Sequence, residues 1–321
     1  LTNQKKVKIL GKVAFVFPGQ GSQTVGMGQE LYNQFASARA VFQQADAALG
    51  FSITDMCFAG PEEELRMTYN TQPAILTVSV ACYEVLKENG LKPDIVAGHS
   101  LGEYSALVAA GAIGFADAVR LVCKRGQFMQ EAVPLGEGSM AAILGMDREQ
   151  VVAICREAEQ TTGAVQAVNF NCPGQIVIAG QATAVEKAVE MLKAAGAKRA
   201  VMLPVSAPFH STLMQPAAVR LARELESVNV ADAVIPVVTN VDGNIITQGT
   251  AIKASLVKQA ASPVLWEDCV MSIAAYGALD IVEVGPGKVL SGFTKKITKE
   301  ASSFNVEDES SLQKTLDYFR E

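Results

Sequence analysis

The sequence lacks paired cysteines. Its six cysteines contain no CxxC pair, and most of them lie inside apolar runs: Cys57, Cys82, Cys123, Cys155, Cys172 and Cys269. This distribution argues against a zinc site or a disulfide framework. It favours reduced, buried thiols in a reducing compartment.

The sequence also lacks an excess of positive charge and a long apolar run. Its formal net charge is −6, so no general field attracts nucleic acid or an anionic membrane surface. After a basic start the first apolar run, Val13 to Phe17, is too short for a signal peptide or a membrane span. We expect a cytoplasmic protein that has neither nucleic acid nor a membrane among its partners.

Strand and helix patterns alternate at both ends of the chain. With 321 residues, of which 49% are hydrophobic, the chain can bury one large core and a smaller one. Short apolar runs predict strands at 13–17, 94–98, 235–239 and 280–284; helical patterns cover 27–49, 72–89, 101–110, 115–133 and 252–277. This alternation predicts an α/β core with a mostly parallel sheet. The acidic end, 305–321, is predicted to be a surface helix or tail.

The middle of the chain follows a different order. Between residues 135 and 205 the patterns read strand, helix, strand, strand, helix, strand, which is the ferredoxin-like unit. We therefore predict two domains: a discontinuous α/β core, 1–134 and 206–321, and a small inserted α+β domain, 135–205.

Ser100 lies in the strongest local motif, Gly98-His99-Ser100-Leu101-Gly102. This G-x-S-x-G string stands between a predicted strand and a predicted helix, the context of a nucleophile elbow. The backbone N–H of Leu101 would then point at the position where an oxyanion forms. Since the string alone also occurs in plain turns, the strand-turn-helix context is what favours a nucleophile.

Histidine is scarce, and a serine nucleophile needs a base. There are only two histidines in the chain. His99 should face away from Ser100, because neighbouring residues on an extended chain point to opposite sides. His210 lies in a turn-rich loop where the inserted unit returns to the core, and it is the better candidate. No carboxylate between Ser100 and His210 is a convincing third member, so a serine–histidine dyad is favoured over a triad.

Two further features have both a functional and an ordinary interpretation. The loop Gly19-Gln20-Gly21 follows the first strand but matches neither a dinucleotide fingerprint nor a phosphate loop. It could bring the N–H of Gln20 beside the elbow as a second oxyanion donor, or be a simple turn. Arg125 lies on a helix, where most arginines are solvated; a substrate carboxylate would give it a role, because a guanidinium binds one bidentately.

Together, these motifs resemble a known family. The motifs that carry the resemblance occur in the family's order: 19–23, 98–105, 125–126 with 129–134, 169–171, 208–210 and 283–287. They are similar to those of malonyl-CoA:acyl carrier protein transacylases of fatty-acid synthesis. The resemblance runs from about Val13 to about Thr298, and the family also has a hydrolase-like core with a small inserted domain.

The resemblance implies roles for particular residues. Ser100 would be the acylated nucleophile and His210 its base, with the N–H groups of Gln20 and Leu101 as the oxyanion hole. Arg125 would hold the malonyl carboxylate. The main-chain carbonyl of Gln259 would hold the histidine ring. The resemblance also implies that Asn169 and Phe209 lie near the acyl chain.

The same resemblance implies the reaction. A malonyl group would pass from coenzyme A to Ser100, and then to the phosphopantetheine thiol of acyl carrier protein, with ping-pong kinetics. Malonyl-CoA and acyl carrier protein would be the partners, and no metal or redox cofactor would be needed. The alternatives are a serine esterase or thioesterase, a polyketide-type acyltransferase with another acyl group, and a non-catalytic carrier-protein docking module.

Overall fold

The computed structural model describes residues 11–205 and 207–320. Its strands are β1 Lys12–Phe17, β2 Ile95–Gly98, β3 Gly138–Leu144, β4 Val165–Cys172, β5 Gln175–Gln181, β6 Arg199–Met202, β7 Val237–Val238, β8 Ile245–Ile246, β9 Ala278–Val284 and β10 Ser302–Val306. Its α-helices are α1 Gln29–Gln34, α2 Ala36–Leu49, α3 Ile53–Ala59, α4 Glu62–Leu65, α5 Thr68–Glu88, α6 Gly102–Ala109, α7 Phe115–Glu131, α8 Arg148–Thr162, α9 Ala182–Ala194, α10 Gln215–Glu226, α11 Gly249–Gln259, α12 Trp266–Ala275, α13 Val289–Ile297 and α14 Glu309–Arg320. Within these described ranges, no helix is long and apolar enough to cross a membrane.

The larger sheet has six strands in the order β10-β9-β1-β2-β7-β8. All neighbours are parallel except β7 and β8. Along β1, Val13, Phe15 and Phe17 enter one apolar cluster, while Ala14 and Val16 enter another on the opposite face. A strand whose side chains are buried on both faces reads as a continuous apolar run, which is why β1 was predictable.

The smaller sheet is antiparallel, in the order β4-β5-β3-β6. Helices α8 and α9 pack on it around a separate apolar cluster that includes Val151, Ile178 and Leu192. The observed elements follow the predicted strand-helix-strand-strand-helix-strand order, and the α/β class with a mostly parallel sheet is confirmed. The predicted boundary at Ser206 lies outside the described residues.

The structure differs from the predicted elements in three places. The helix over 27–49 is two helices, because Phe35 adopts an extended conformation between them. Helices α3 and α4 were not predicted. The acidic end forms a helix, α14, as one of its two predicted forms, but this helix is not confined to the surface: it buries Leu312, Leu316 and Phe319. The unpredicted strand β10 before it pairs with β9 in the main sheet.

Candidate active site

The elbow stands at the carboxyl end of β2, beside the end of β1. Phe17 pairs with Gly98, so the glycine-rich loop after β1 and the elbow after β2 start at the same edge. Ser100 has a φ of 52°, a left-handed conformation that is uncommon for residues other than glycine. Gly102 must be glycine, because a Cβ there would collide with the backbone of Phe17. The close approach between the backbone of the elbow at Gly102 and that of Phe17 therefore fixes the position of Ser100.

Ser100 and His210 form a hydrogen-bonded pair. Ser100 Oγ lies 2.7 Å from His210 Nε2, and His210 Nδ1 lies 3.0 Å from the carbonyl oxygen of Gln259. Since a carbonyl only accepts, Nδ1 carries the proton and Nε2 is free to accept the serine hydrogen. His210 also has a positive φ, 64°. Burial, and then the charge of Arg125, lower the pKa of His210 to about 3, so the imidazole is neutral.

His99 faces a different direction. Its Nε2 lies 2.8 Å from Asn171 Oδ1, and its ring packs 5.6 Å from the ring of Trp266, measured between centroids. Its backbone N–H donates to the carbonyl of Phe17 at 2.9 Å. The prediction that His99 points away from the serine agrees with these contacts.

Arg125 is buried beside the nucleophile. Arg125 is 1% exposed, and its Nη2 donates to Ser100 Oγ at 3.2 Å. Nη1 donates to Gln72 Oε1 at 2.8 Å, and Nη2 also donates to Gln259 Oε1 at 2.9 Å. Among the described residues, Nε has no hydrogen-bond partner. This arginine is not a solvated helix-surface residue, and within residues 11–205 and 207–320 no carboxylate is hydrogen-bonded to its guanidinium.

The predicted site residues surround a cavity of about 110 Å³. Every predicted site residue except Gln259 lines this cavity: Gln20, Ser100, Leu101, Arg125, Asn169, Phe209 and His210. In the described part of the chain, neither Gln20 nor Leu101 uses its backbone N–H in a hydrogen bond to protein. Two unused donors beside a nucleophile can stabilise an oxyanion.

Asn169 and Phe209 contribute differently to the cavity wall. Asn169 Oδ1 is buried without a partner among the described residues, so a ligand donor could bind it. Phe209 is half-buried and presents no polar group. A second cavity of about 250 Å³ adjoins the first, since both are lined by Gln20, His99, Asn169 and Leu203.

Three polar residues of the site were not predicted. Gln72 accepts from Arg125, Asn240 accepts from the N–H of Ser100 at 2.6 Å, and Glu103 accepts from Gln259 and Asn240. Asn240 follows a parallel strand, and polar residues at such strand ends line ligand crevices, so its position was the one available signal. Glu103 lies in the motif 98–105 that carries the family resemblance, but no local pattern distinguishes it, or Gln72, from a solvated helix residue.

A nucleophile elbow beside a histidine, in a mostly parallel α/β fold with a small antiparallel sheet, defines a serine-dependent acyl-transfer enzyme. Comparison with known families agrees: residues 14–314 match the model of the acyl transferase domain. The chain belongs to this family.

Several similar proteins are named as transacylases of malonyl groups. The chain is 54% identical over 295 residues to the malonyl CoA-acyl carrier protein transacylase of Escherichia coli, covering 91% of this chain and 95% of that protein. A crystal structure of acyl-carrier-protein S-malonyltransferase from Burkholderia pseudomallei superimposes with a TM-score of 0.93 at 51% identity, covering 95% of this chain and 99% of that one. A malonyl-transacylase solved in complex with a type II PKS acyl-carrier protein matches with a TM-score of 0.93 at 47% identity, covering 96% and 99%.

Proposed function

We propose that this chain transfers a malonyl group from coenzyme A to the phosphopantetheine thiol of acyl carrier protein, for fatty-acid synthesis. The observation that carries the proposal is the buried guanidinium of Arg125, 3.2 Å from Ser100 Oγ. A buried cation beside the nucleophile favours an acyl group that brings its own carboxylate. The names of the relatives point to the same acyl group.

In the proposed first half-reaction, His210 Nε2 takes the proton of Ser100 as Oγ attacks the thioester carbonyl. The N–H groups of Gln20 and Leu101 stabilise the tetrahedral oxyanion. Collapse of this intermediate expels the coenzyme A thiolate, which takes the proton from His210, and leaves malonyl-Ser100. Arg125 exchanges its contact with Oγ for the malonyl carboxylate, and Asn169 and Phe209 form the wall around the acyl chain.

The second half-reaction reverses the first. The carrier-protein thiol gives its proton to His210 and attacks the ester carbonyl, and Ser100 recovers its proton as the thioester forms. The carbonyl of Gln259 holds the imidazole through Nδ1 in both halves, so one neutral base serves both.

The chain's own side chains and N–H groups carry every step, so the proposal requires no metal or redox cofactor. All six cysteines are free, which supports our proposal of a cytoplasmic location.

The test separates transfer from hydrolysis. Malonyl-CoA labelled in the malonyl group is mixed with the protein, with and without phosphopantetheinylated acyl carrier protein. The proposal predicts label on the carrier protein, with little free malonate in either mixture. Continuous release of malonate without carrier protein would instead identify a thioesterase.

A further inference from the structure

Glu103 is a buried carboxyl group with no place in the mechanism above. It is the second residue of α6, directly after the elbow, and is 1% exposed. Its Oε2 accepts the backbone N–H of Asn240 at 3.0 Å and the Nε2–H of Gln259 at 2.9 Å. Burying a carboxyl group is costly unless its hydrogen bonds offset the loss of water. These two bonds supply that offset, and each of them connects Glu103 to the active site.

The bond to Asn240 leads to the nucleophile. The Asn240 side chain is completely buried and spans the elbow: its Nδ2 donates to the carbonyl of Gly98 at 2.7 Å, and its Oδ1 accepts the N–H of Ser100 at 2.6 Å. These bonds hold both sides of a turn in which Ser100 has a left-handed backbone. Glu103 fixes the backbone from which this side chain projects.

The bond to Gln259 leads to the base and to the arginine. Gln259 Nε2 donates to Glu103 and to the carbonyl of Ser100 at 2.9 Å. Its Oε1 faces Arg125, and its main-chain carbonyl accepts from His210. Because Glu103 Oε2 accepts, the amide nitrogen of Gln259 must face it, and the amide oxygen must therefore face the guanidinium. The reverse orientation would set N–H groups against N–H groups.

We propose that Glu103 is a positioning residue that holds Ser100, His210 and Arg125 in one arrangement through its hydrogen bonds to Asn240 and Gln259. It touches no reacting atom. Its removal leaves two buried N–H groups without an acceptor, and only the bonds to Ser100 and Arg125 then orient the Gln259 amide. Small displacements of reacting groups reduce turnover steeply, about 10²-fold for about 1 Å.

The charge of Glu103 also acts on Arg125. Burial raises the pKa of Glu103, whereas the hydrogen bonds from Gln259 and Asn240, and then the charge of Arg125, lower it. With a smaller increase from Asp242, the pKa is raised to about 7. Two other groups that interact with Glu103 stay neutral. Burial raises the pKa of the Cys269 thiol well above its usual value, and burial also raises the pKa of Tyr104 to about 12. Partial burial raises the pKa of Asp242, but hydrogen bonds from Thr239 and Asn244 together outweigh it, so the pKa is lowered and Asp242 stays ionised. Glu103 is therefore the member of this group that changes charge near neutral pH.

This change of charge gives the proposal a readout that a purely structural residue would not move, and this part rests on the proposed malonyl substrate. An ionised Glu103 near Arg125 competes with a malonyl carboxylate for the same cation. Binding malonyl-CoA then favours the protonated form of Glu103, so affinity falls as pH rises through the pKa.

The first experiment measures kcat of malonyl transfer in Glu103→Ala and Glu103→Gln. Glutamine keeps a carbonyl oxygen that can accept both N–H groups. We expect kcat to fall about 10²-fold in Glu103→Ala and to recover most of the wild-type value in Glu103→Gln. The matched control is Glu283→Gln, another completely buried glutamate that accepts two backbone N–H groups, from Leu290 and Ser291. We expect this control to keep the wild-type kcat.

The second experiment measures the dissociation constant of malonyl-CoA by calorimetry in a Ser100→Ala background, where no acylation occurs. With Glu103 present, the constant should rise severalfold between about pH 6 and about pH 8; with Glu103→Gln it should stay flat. An equal rise in both proteins, or a folded Glu103→Ala with the wild-type kcat, overturns the proposal. If Glu103→Ala does not fold, the calorimetry and Glu103→Gln decide. Failure of the wild-type protein to transfer malonyl at all would instead overturn the proposed function.

Discussion

His210 is expected to act as a base well below the pH at which histidine usually becomes protonated. Burial and Arg125 lower its pKa to about 3, so the neutral form persists as the pH falls through about 6.5, the value for an exposed histidine. The acid limb of kcat/KM for acylation should therefore lie below about pH 5, because kcat/KM reports the pKa of the free enzyme. Stopped-flow acylation across the pH range measures this limb. A midpoint near about pH 6.5 would contradict the burial argument.

We expect Arg125 to decide which acyl group is carried. Replacing it with alanine leaves the malonyl carboxylate unpaired, which should cost about 2–5 kcal/mol in malonyl transfer. Acetyl-CoA has no carboxylate and leaves the buried charge of the wild-type guanidinium without an anionic partner, so loss of the arginine should leave acetyl transfer equal or improved. Lysine keeps the charge but loses the planar two-point fit, and should rescue only part of the rate.

The measurement is the ratio of kcat/KM for malonyl-CoA to that for acetyl-CoA in wild type, Arg125→Lys and Arg125→Ala. If the three ratios were equal, Arg125 would not be a carboxylate ligand. The choice of a dicarboxylic acyl substrate would then rest on the relatives alone.

Helix α7 approaches the start of α5 closely enough to require glycine. A Cβ at Gly126 would lie 2.6 Å from the carbonyl oxygen of Thr68 and 2.7 Å from the Cα of Tyr69. Gly126→Ala should therefore push α7 away, displace the neighbouring Arg125 from Gln72, and cost about 1–3 kcal/mol of stability. Malonyl transfer should fall with it.

Gly292 is the matched control for this substitution. It lies within α13, and a Cβ there would meet nothing within 4 Å. Gly292→Ala should stabilise the protein by up to about 1 kcal/mol, because alanine favours helix more than glycine does. Denaturant unfolding measures both variants. Equal effects of the two substitutions would show that the close approach of α7 and α5 is not a constraint.

The elements that the sequence predicted well have a strong pattern of their own. β1 and β2 are short apolar runs that end in glycine-rich turns, and the inserted unit alternates clearly between strand and helix periods. β10 was missed because its residues, Ser302 to Val306, include polar side chains and are mostly half-buried. It is a strand because β9 offers an open edge, which no local pattern records.

The site divides in the same way. Ser100 is recognisable from its elbow, and His210 from the scarcity of other bases. By local pattern Glu103 and Gln72 are ordinary helix residues. Only the packing of α5, α6, α7 and α11 makes Gln72 a buried partner of Arg125 and Glu103 a buried partner of Gln259. The roles of the predicted site residues, including Gln20, Leu101, Asn169 and Phe209, stay predictions until they are tested.

At the scale of the whole molecule, the C-terminal helix is part of the main core. Phe319 is 2% exposed and packs in the same cluster as residues of α5 and α7. Phe319→Ala should lower the free energy of unfolding by about 3–5 kcal/mol. The control is Val219→Ala on α10, where the side chain is 46% exposed and the change should be within about 0.5 kcal/mol. If Phe319→Ala changed the free energy of unfolding by a similarly small amount, the C-terminal helix would not be part of the main core.

The division into a core, 1–134 and 206–321, and an inserted unit, 135–205, stays a prediction. The two sheets have separate apolar clusters around them, which supports it. The elbow and Arg125 come from the first segment and His210 from the second. Between Ser100 and His210 the chain therefore leaves the larger sheet, makes the smaller one and returns.

The central claim is that Ser100 carries a malonyl group between two thiols, and mass spectrometry tests it directly. The protein is mixed briefly with malonyl-CoA, quenched in acid, and digested for peptide mapping. The account predicts one malonyl adduct, on the peptide containing Ser100, which is absent from Ser100→Ala and is lost when phosphopantetheinylated acyl carrier protein is added before the quench. An adduct on another residue, or no adduct from a folded protein that still transfers malonyl, would contradict it.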